Sequence, residues 1–284
     1  MKKWNLVIDV EKCENCNNCA LATKDEHIGN DFPGYAASQP SHGHHWIHIH
    51  RQVRGSAPMT DVAYLPTMCN QCDNAPCIQA AGDGSIYKRR DGIVIIDPVK
   101  AKGRQDLVSS CPYGAIWWNA ELDLPQKWIF DAHLLDQGAS EPRCTQACPT
   151  GSMRAVKVDD AQMDAMAKAE GLEVLKPALG TKPRVYYKNL YRYSKCFIGG
   201  SVVASINGVM ECADQVVVTL SKKGEQQAST TTDAFGDFKF DGLAPNSGSY
   251  QLGFSHLDMG VTTRTVELED SVYLGAIYLD EARQ

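Results

Sequence analysis

From residue 196 onward the chain alternates apolar and polar residues in short runs divided by Gly, Asp, Asn and Ser. Residues 201–206, 215–220, 237–240, 249–254 and 261–266 each read as a strand with one face toward a core. Their spacing fits an antiparallel β-sandwich over 196–284. The period changes over 159–175, where Met163, Met166, Ala167 and Leu172 recur at helical spacing. Between helix and sandwich, 182–193 is a basic, tyrosine-rich connector that packs on its own domain or covers a partner. Before residue 158 the pattern is broken into short β stretches and many turns. Residues 1–10 read as a first strand, and Lys88-Arg89-Arg90-Asp91-Gly92 as a solvated turn feeding a strand at 93–96. Alternation places His44, Trp46, His48 and His50 on one strand face, with Ile47 and Ile49 on the other. The expected division is therefore 1–158, 159–195 and 196–284, an α+β chain ending in a β domain.

Composition narrows this picture. A chain of 284 residues with 43% hydrophobic and 22% charged residues is ordinary for a globular protein of one large or two modest domains. A net charge of −6 gives no reason to expect nucleic acid or an anionic membrane as partner. No run approaches the ~20 apolar residues of a membrane span. The N-terminal apolar run is short and lacks a small-residue cleavage site, so it is read as a strand and the expected compartment is the cytoplasm. The eleven cysteines are odd in number and clustered, which argues against a disulfide framework.

Those cysteines carry the chemistry. Cys13, Cys16 and Cys19 form a C-x2-C-x2-C run, and Cys69, Cys72 and Cys77 a C-x2-C-x4-C run. Cys111 and Cys148 each precede a proline. Three close thiolates completed by one distant Cys-Pro is the ferredoxin way of holding a cubane iron–sulfur cluster. Proline ends the local helix or turn after the distant cysteine, and Gly114 and Gly151 free the chain to leave. Zinc is the competing reading, but three cysteines between Cys13 and Cys19 crowd one zinc ion. No nucleophile motif, phosphate loop or H-E-x-x-H helix is present, so no catalytic residue is assigned.

The order of these motifs resembles the iron–sulfur subunits of the dimethyl-sulfoxide-reductase family of molybdenum enzymes. That resemblance implies two ferredoxin-like units with four cysteine motifs and up to four 4Fe–4S clusters. It implies one cluster on Cys13, Cys16, Cys19 and Cys148, and a second on Cys69, Cys72, Cys77 and Cys111. A third site would need cysteine at Thr23, Trp128, Asp131 and Cys144, and a fourth at Ala81, Ala101, Arg104 and Leu107; only Cys144 qualifies. Two clusters are therefore expected. Residues 7–10 with the Cys13 run and Asp25-Glu26-His27, 180–192, and 233–241 are similar to small subunits of the pyrogallol–phloroglucinol transhydroxylase and resorcinol hydroxylase type. The last segment is a turn-and-strand signature of transthyretin-like or Cna-B-like sandwiches.

The resemblance implies an electron-transfer subunit in a heterodimer, or a multiple of it, with a large catalytic molybdopterin chain. That partner would carry molybdenum on two pterin guanine dinucleotides and act on phenolic rings. A different class of function is a structural subunit of a redox-neutral hydroxyl transferase, whose clusters only brace the fold. A generic respiratory subunit on a membrane anchor ranks below both, because 278–284 is polar. Trp117 and Trp118 are expected to cover a cluster, Trp128 and Asp131 to fill the lost site, and Cys196 and Cys212 to act as small core residues. His44, His48 and His50 read as a solvated or partner-facing strand before they read as a metal site.

Overall fold

The computed structural model describes residues 1–206, 208–257 and 259–279, so the polar end at 280–284 lies outside the described residues. The chain forms two compact units. The first comprises Met1–Arg51 and Tyr64–Leu190; the second comprises Gln52–Ala63 and the described residues from Tyr191 onward.

In chain order the first unit contains β1 (Lys3–Asp9), α1 (Asn18–His27), the bases of β2 (Ile47–Ser56) and β3 (Met59–Met68), and α2 (Pro76–Ala81). There follow β4 (Ile86–Lys88), β5 (Val94–Ile96), β6 (Trp117–Asn119), β7 (Leu124–Gln126), α3 (Ala132–Asp136), α4 (Arg143–Gln146), β8 (Met153–Val158), α5 (Asp160–Glu170) and β9 (Val185–Lys188). The order β8–β1–β9 makes a three-stranded sheet, with β8 antiparallel and β9 parallel to β1. Five consecutive residues of β1, from Trp4 to Ile8, are buried, as expected of a central strand covered on both faces.

One sequence expectation changes here. The helix ends at Glu170, short of 175, because Gly171 takes a left-handed conformation and caps it. Its start is fixed by a reciprocal capping box between Asp159 and Gln162. Of the two readings of the connector, packing on its own unit is seen at 185–188. Residues 185–188 form the strand β9 beside β1, and Tyr187 is fully buried with its hydroxyl donating to the Pro66 carbonyl at 3.0 Å.

The second unit begins with α6 (Tyr191–Ser194) and continues through β10 (Cys196–Ile206), β11 (Val209–Cys212), β12 (Val217–Lys222), β13 (Glu225–Thr231), β14 (Asp237–Leu243), β15 (Gly248–Ser255), β16 (Val261–Leu268) and β17 (Val272–Leu279). Two four-stranded sheets result: β11–β10–β14 with β17 also on β10, and β13–β12–β15–β16. Ile198, Val202, Phe238 and Ile277 of the first sheet share one buried cluster with Val218, Leu252, Phe254 and Leu268 of the second. The layering expected from the alternation is present, but the strands are not all antiparallel, since β17 returns parallel to β10. Cys196 is a buried member of this core, as expected; Cys212, at the end of β11, is exposed.

Candidate metal centres

The two cysteine runs are built alike. The Cys13–Cys19 loop leads from β1 into α1, with Asn15 and Asn17 in the left-handed conformation (φ 57° and 61°) that asparagine tolerates. The Cys69–Cys77 loop leads from β3 into α2, which starts on Pro76 and ends at a left-handed Gly82. Each remote cysteine follows a short helix that packs on the helix of its partner loop. The helix α4 precedes Cys148 and packs on α1; the 3-10 turn Gln105–Ser110 precedes Cys111 and packs on α2. Both Cys-Pro turns close identically: Gly114 N–H donates to the Cys111 carbonyl at 3.0 Å, and Gly151 N–H to the Cys148 carbonyl at 3.3 Å. Both glycines have positive φ, as their expected exit role requires.

The structure brings each expected foursome together. Cys19 lies among Cys13, Cys16 and Cys148; burial, opposed by the Ala20 N–H and reinforced by these three neighbours, pushes its thiol up to about 12. Cys69, Cys72, Cys77 and Cys111 line one opening with Val94, Pro112, Tyr113, Ile116 and Lys127. There burial and the neighbouring cysteines push Cys72 up to about 12 and Cys77 to about 11. Hydrogen-bond donors face the sulfurs as well, such as Ala115 N–H at 3.5 Å from Cys111 Sγ. The raised thiols, Cys13 and Cys19 in one set and Cys72, Cys77 and Cys111 in the other, resist ionisation unless a cation neutralises them, so both donor sets fit an iron–sulfur centre. Among the described residues no three His, Cys, Asp or Glu side chains converge tightly enough to share a single metal ion. The second foursome lines an opening, the arrangement a multi-iron centre needs.

The positions without cysteine are filled. Thr23, Trp128, Asp131 and Cys144 are each at most 1% exposed. Thr23 Oγ1 donates to the Cys19 carbonyl at 2.9 Å, and Asp131 accepts from the Arg143 N–H at 2.8 Å and lies 3.3 Å from His27 Nε2. Burial, Asp131 and Cys19 push the Cys144 thiol well up, so it stays neutral. Ala81, Ala101 and Leu107 belong to the core around the second foursome, and Arg104 pairs with Asp83 and Asp106.

Other expectations need correction. Trp117 and Trp118 do not line the second site; Tyr113 and Ile116 do, with Tyr113 anchored at 2.6 Å to Thr181. His48 and His50 are exposed as expected, but His44 is buried against the Trp118 carbonyl at 2.9 Å. Lys88 is not a solvated turn residue. Its ammonium donates to the carbonyls of Gln71, Cys72 and Gly92, each at 2.9 Å, which clamps the second cysteine loop. Gln71 holds that loop from inside, donating to the Trp128 carbonyl at 3.1 Å and accepting from Val94 N–H at 2.7 Å. Sequence reading missed Gln71, Lys127 and the clamp of Arg184. The Arg184 N–H donates to the Asn70 carbonyl, and its guanidinium binds Asp73, Asp160 and Asn5. An isolated Gln or Lys carries no pattern that distinguishes it from surface residues.

Comparison with known proteins agrees with this geometry. Residues 60–158 match a family described as a 4Fe-4S dicluster domain. The pyrogallol hydroxytransferase small subunit of Pelobacter acidigallici is 44% identical over 98% of this chain and 100% of its own length. The iron-sulfur subunit of the arsenate respiratory reductase of Shewanella sp. strain ANA-3 is 28% identical, over 65% of this chain and 95% of that one. The electron transfer subunit of the thiosulfate reductase of Salmonella typhi is 26% identical, over 57% and 79%.

Proposed function

This chain belongs to the iron–sulfur small subunits of the dimethyl-sulfoxide-reductase family of molybdenum enzymes, and on that premise we propose that it is the electron-transfer subunit of a heteromeric molybdopterin oxidoreductase acting on phenolic aromatics. The observation that carries the reading is the pairing of each thiol triplet with its remote Cys-Pro across packed helices. In this proposal Cys13, Cys16, Cys19 and Cys148 hold one 4Fe–4S cluster, and Cys69, Cys72, Cys77 and Cys111 hold the other. When bound, each cluster supplies a one-electron store whose potential follows its surroundings. The residues here set those surroundings. Backbone N–H groups face the sulfurs, Tyr113 and Ile116 exclude water from the second site, and Lys88, Gln71 and Arg184 fix its loop.

The molybdenum cofactor and the phenol-binding pocket belong to the large partner chain in this reading. Residues 1–158 contain every cluster ligand, while the described residues from 196 onward form a transthyretin-like or Cna-B-like sandwich used for docking. The cytoplasm is the proposed compartment; among the described residues no helix is long and apolar enough to cross a membrane. Iron analysis and electron paramagnetic resonance of the purified complex test the proposal. About eight irons are expected in this subunit, from two cubanes, with both signals responding to phenolic substrate or external acceptor at the rate of turnover. About twelve irons would refute the ligand assignment, and clusters silent during turnover would leave only a bracing role.

A further inference from the structure

A buried lysine, Lys127, and a half-buried one, Lys88, stand beside the second cysteine foursome. Lys127 is 2% exposed and lines the opening formed by Cys69, Cys72, Cys77 and Cys111. Among the described residues its ammonium meets only backbone carbonyls, those of Val94 and Trp128, and no carboxylate. A buried ammonium without a counter-ion is costly to keep, so the site gains most when negative charge arrives next to it. Lys88 reaches the same loop through the Cys72 carbonyl. It pairs with Asp73 at 2.8 Å, but Asp73 also serves Arg184 and Lys3, and Asp160 serves the same two. Three cations share two carboxylates there, which leaves that network positive as well.

The first foursome sees the reverse. The fully buried thiol of Cys144 lies within electrostatic reach of both Cys19 and the buried carboxylate of Asp131. Lys127 and Asp131 are the ends of one buried segment, Lys127-Trp128-Ile129-Phe130-Asp131, whose cationic end lines the second site and whose anionic end acts on Cys144. Water at the exposed Cys16 works the other way, since hydration also stabilises added negative charge. The effect of the lysines is the larger, because a charge inside a dry wall acts through a low dielectric while exposed groups are screened.

We infer that Lys127, seconded by Lys88, makes the Cys69/Cys72/Cys77/Cys111 site the one reduced first, so that an electron entering this subunit comes to rest there and not at the Cys13/Cys16/Cys19/Cys148 site. The inference rests on the two-cluster reading above. It gives Lys127 a positioning role: the side chain sets where charge is stable without touching a substrate.

The test is a redox titration of the whole complex followed by electron paramagnetic resonance. Cys111→Ala identifies the second-site signal by its loss, and Cys16→Ala identifies the first. In the unmodified complex the second-site signal is expected to appear at the higher potential. Lys127→Gln is expected to lower that potential and leave the first-site potential in place, while Lys127→Arg keeps it near the original value. Asp131→Asn is expected to raise the first-site potential. First-site reduction ahead of the second in the unmodified complex overturns the inference, whatever the variants do. So does an unshifted second-site potential in Lys127→Gln. Finding other than two signals, by contrast, defeats the two-cluster reading before the order of potentials is measured.

Discussion

Replacing Arg184 with methionine removes the tie that binds the second cysteine loop to the central sheet, while keeping most of the apolar stem. The guanidinium is 4% exposed. It donates to Asp73 Oδ1 at 2.7 Å, to Asp160 Oδ1 at 2.7 Å and to Asn5 Oδ1 at 3.0 Å. Removing one partner of a buried ion pair costs about 3–5 kcal/mol, because the other charge is left stranded. Here Asp73 keeps Lys88 at 2.8 Å and Lys3 at 3.6 Å, which reduces that loss. The buried Asn5 carbonyl oxygen loses the Arg184 donor, which adds about 1–3 kcal/mol. The expected total is about 3 kcal/mol. Urea unfolding at pH 7, followed by circular dichroism and by bleaching of the cluster absorbance, measures it, and the second site should lose its iron first. Burial works against ionisation of Asp73, but hydrogen bonds from Arg184 and Lys88 outweigh it and hold the carboxyl at about 2. A lowered carboxyl contributes stability above its unfolded value, near 4, and loses it as pH falls toward 2, so the variant should also be less sensitive to acid across that window. A change below about 1 kcal/mol, the size of a surface pair, would refute the claim that this network holds the loop.

Three further outcomes are expected. Gly236→Ala should destabilise the second unit by roughly 2–4 kcal/mol in thermal unfolding while leaving the iron content intact, because φ is +77° and a Cβ would stand 2.3 Å from the Val202 carbonyl oxygen. His44 is buried, its Nε2 lies 2.9 Å from the Trp118 carbonyl and its Nδ1 has no protein partner, so burial lowers its pKa. A lowered histidine contributes stability above its unfolded value, about 6.5, and costs it as pH falls below that; urea midpoints between pH 7 and 5 should decline, and less so in His44→Gln. Cys111→Ala and Cys148→Ala should each remove about four irons, and the double variant about eight, by iron analysis.

The legibility of the chain followed how local each signal was. The Cys-Pro turns, the first strand, the capped helix and the alternating strands β12 and β15 declare themselves within a few residues. The strand β13, Glu225–Thr231, contains no large apolar residue and lies at the edge of its sheet, so it carries no period to read. Gly275, at φ +76°, interrupts β17, whose register against β10 shifts nearby, and its near-continuous apolar run hides the alternation. Exposed Cys212 and half-buried Trp117 and Trp118 failed as core or cover residues because residue type alone does not fix which face an edge strand presents. Lys127 was illegible for the opposite reason. A buried lysine contradicts the composition rule, and only the fold reveals the carbonyls that receive it.

On the family pairing, Thr23, Trp128, Asp131 and Cys144 stand where a third set of four thiols would. Their surroundings are not those of an ordinary apolar core. His27 packs on Trp46 at 4.9 Å between ring centroids and on His133 at 5.3 Å, and Phe32 stacks on His133 at 3.7 Å. Polar links run through this packing, from Asp131 to His27 and from Glu26 to both His133 and Arg143. Nδ1 of His27 and of His133, and Nε1 of Trp46 and of Trp128, have no protein partner. Each such atom costs about 1–3 kcal/mol relative to a satisfied one, so a sequence selected for stability alone would place leucine and phenylalanine here. The residues here form a polar, partly hydrogen-bonded cluster and not an apolar core.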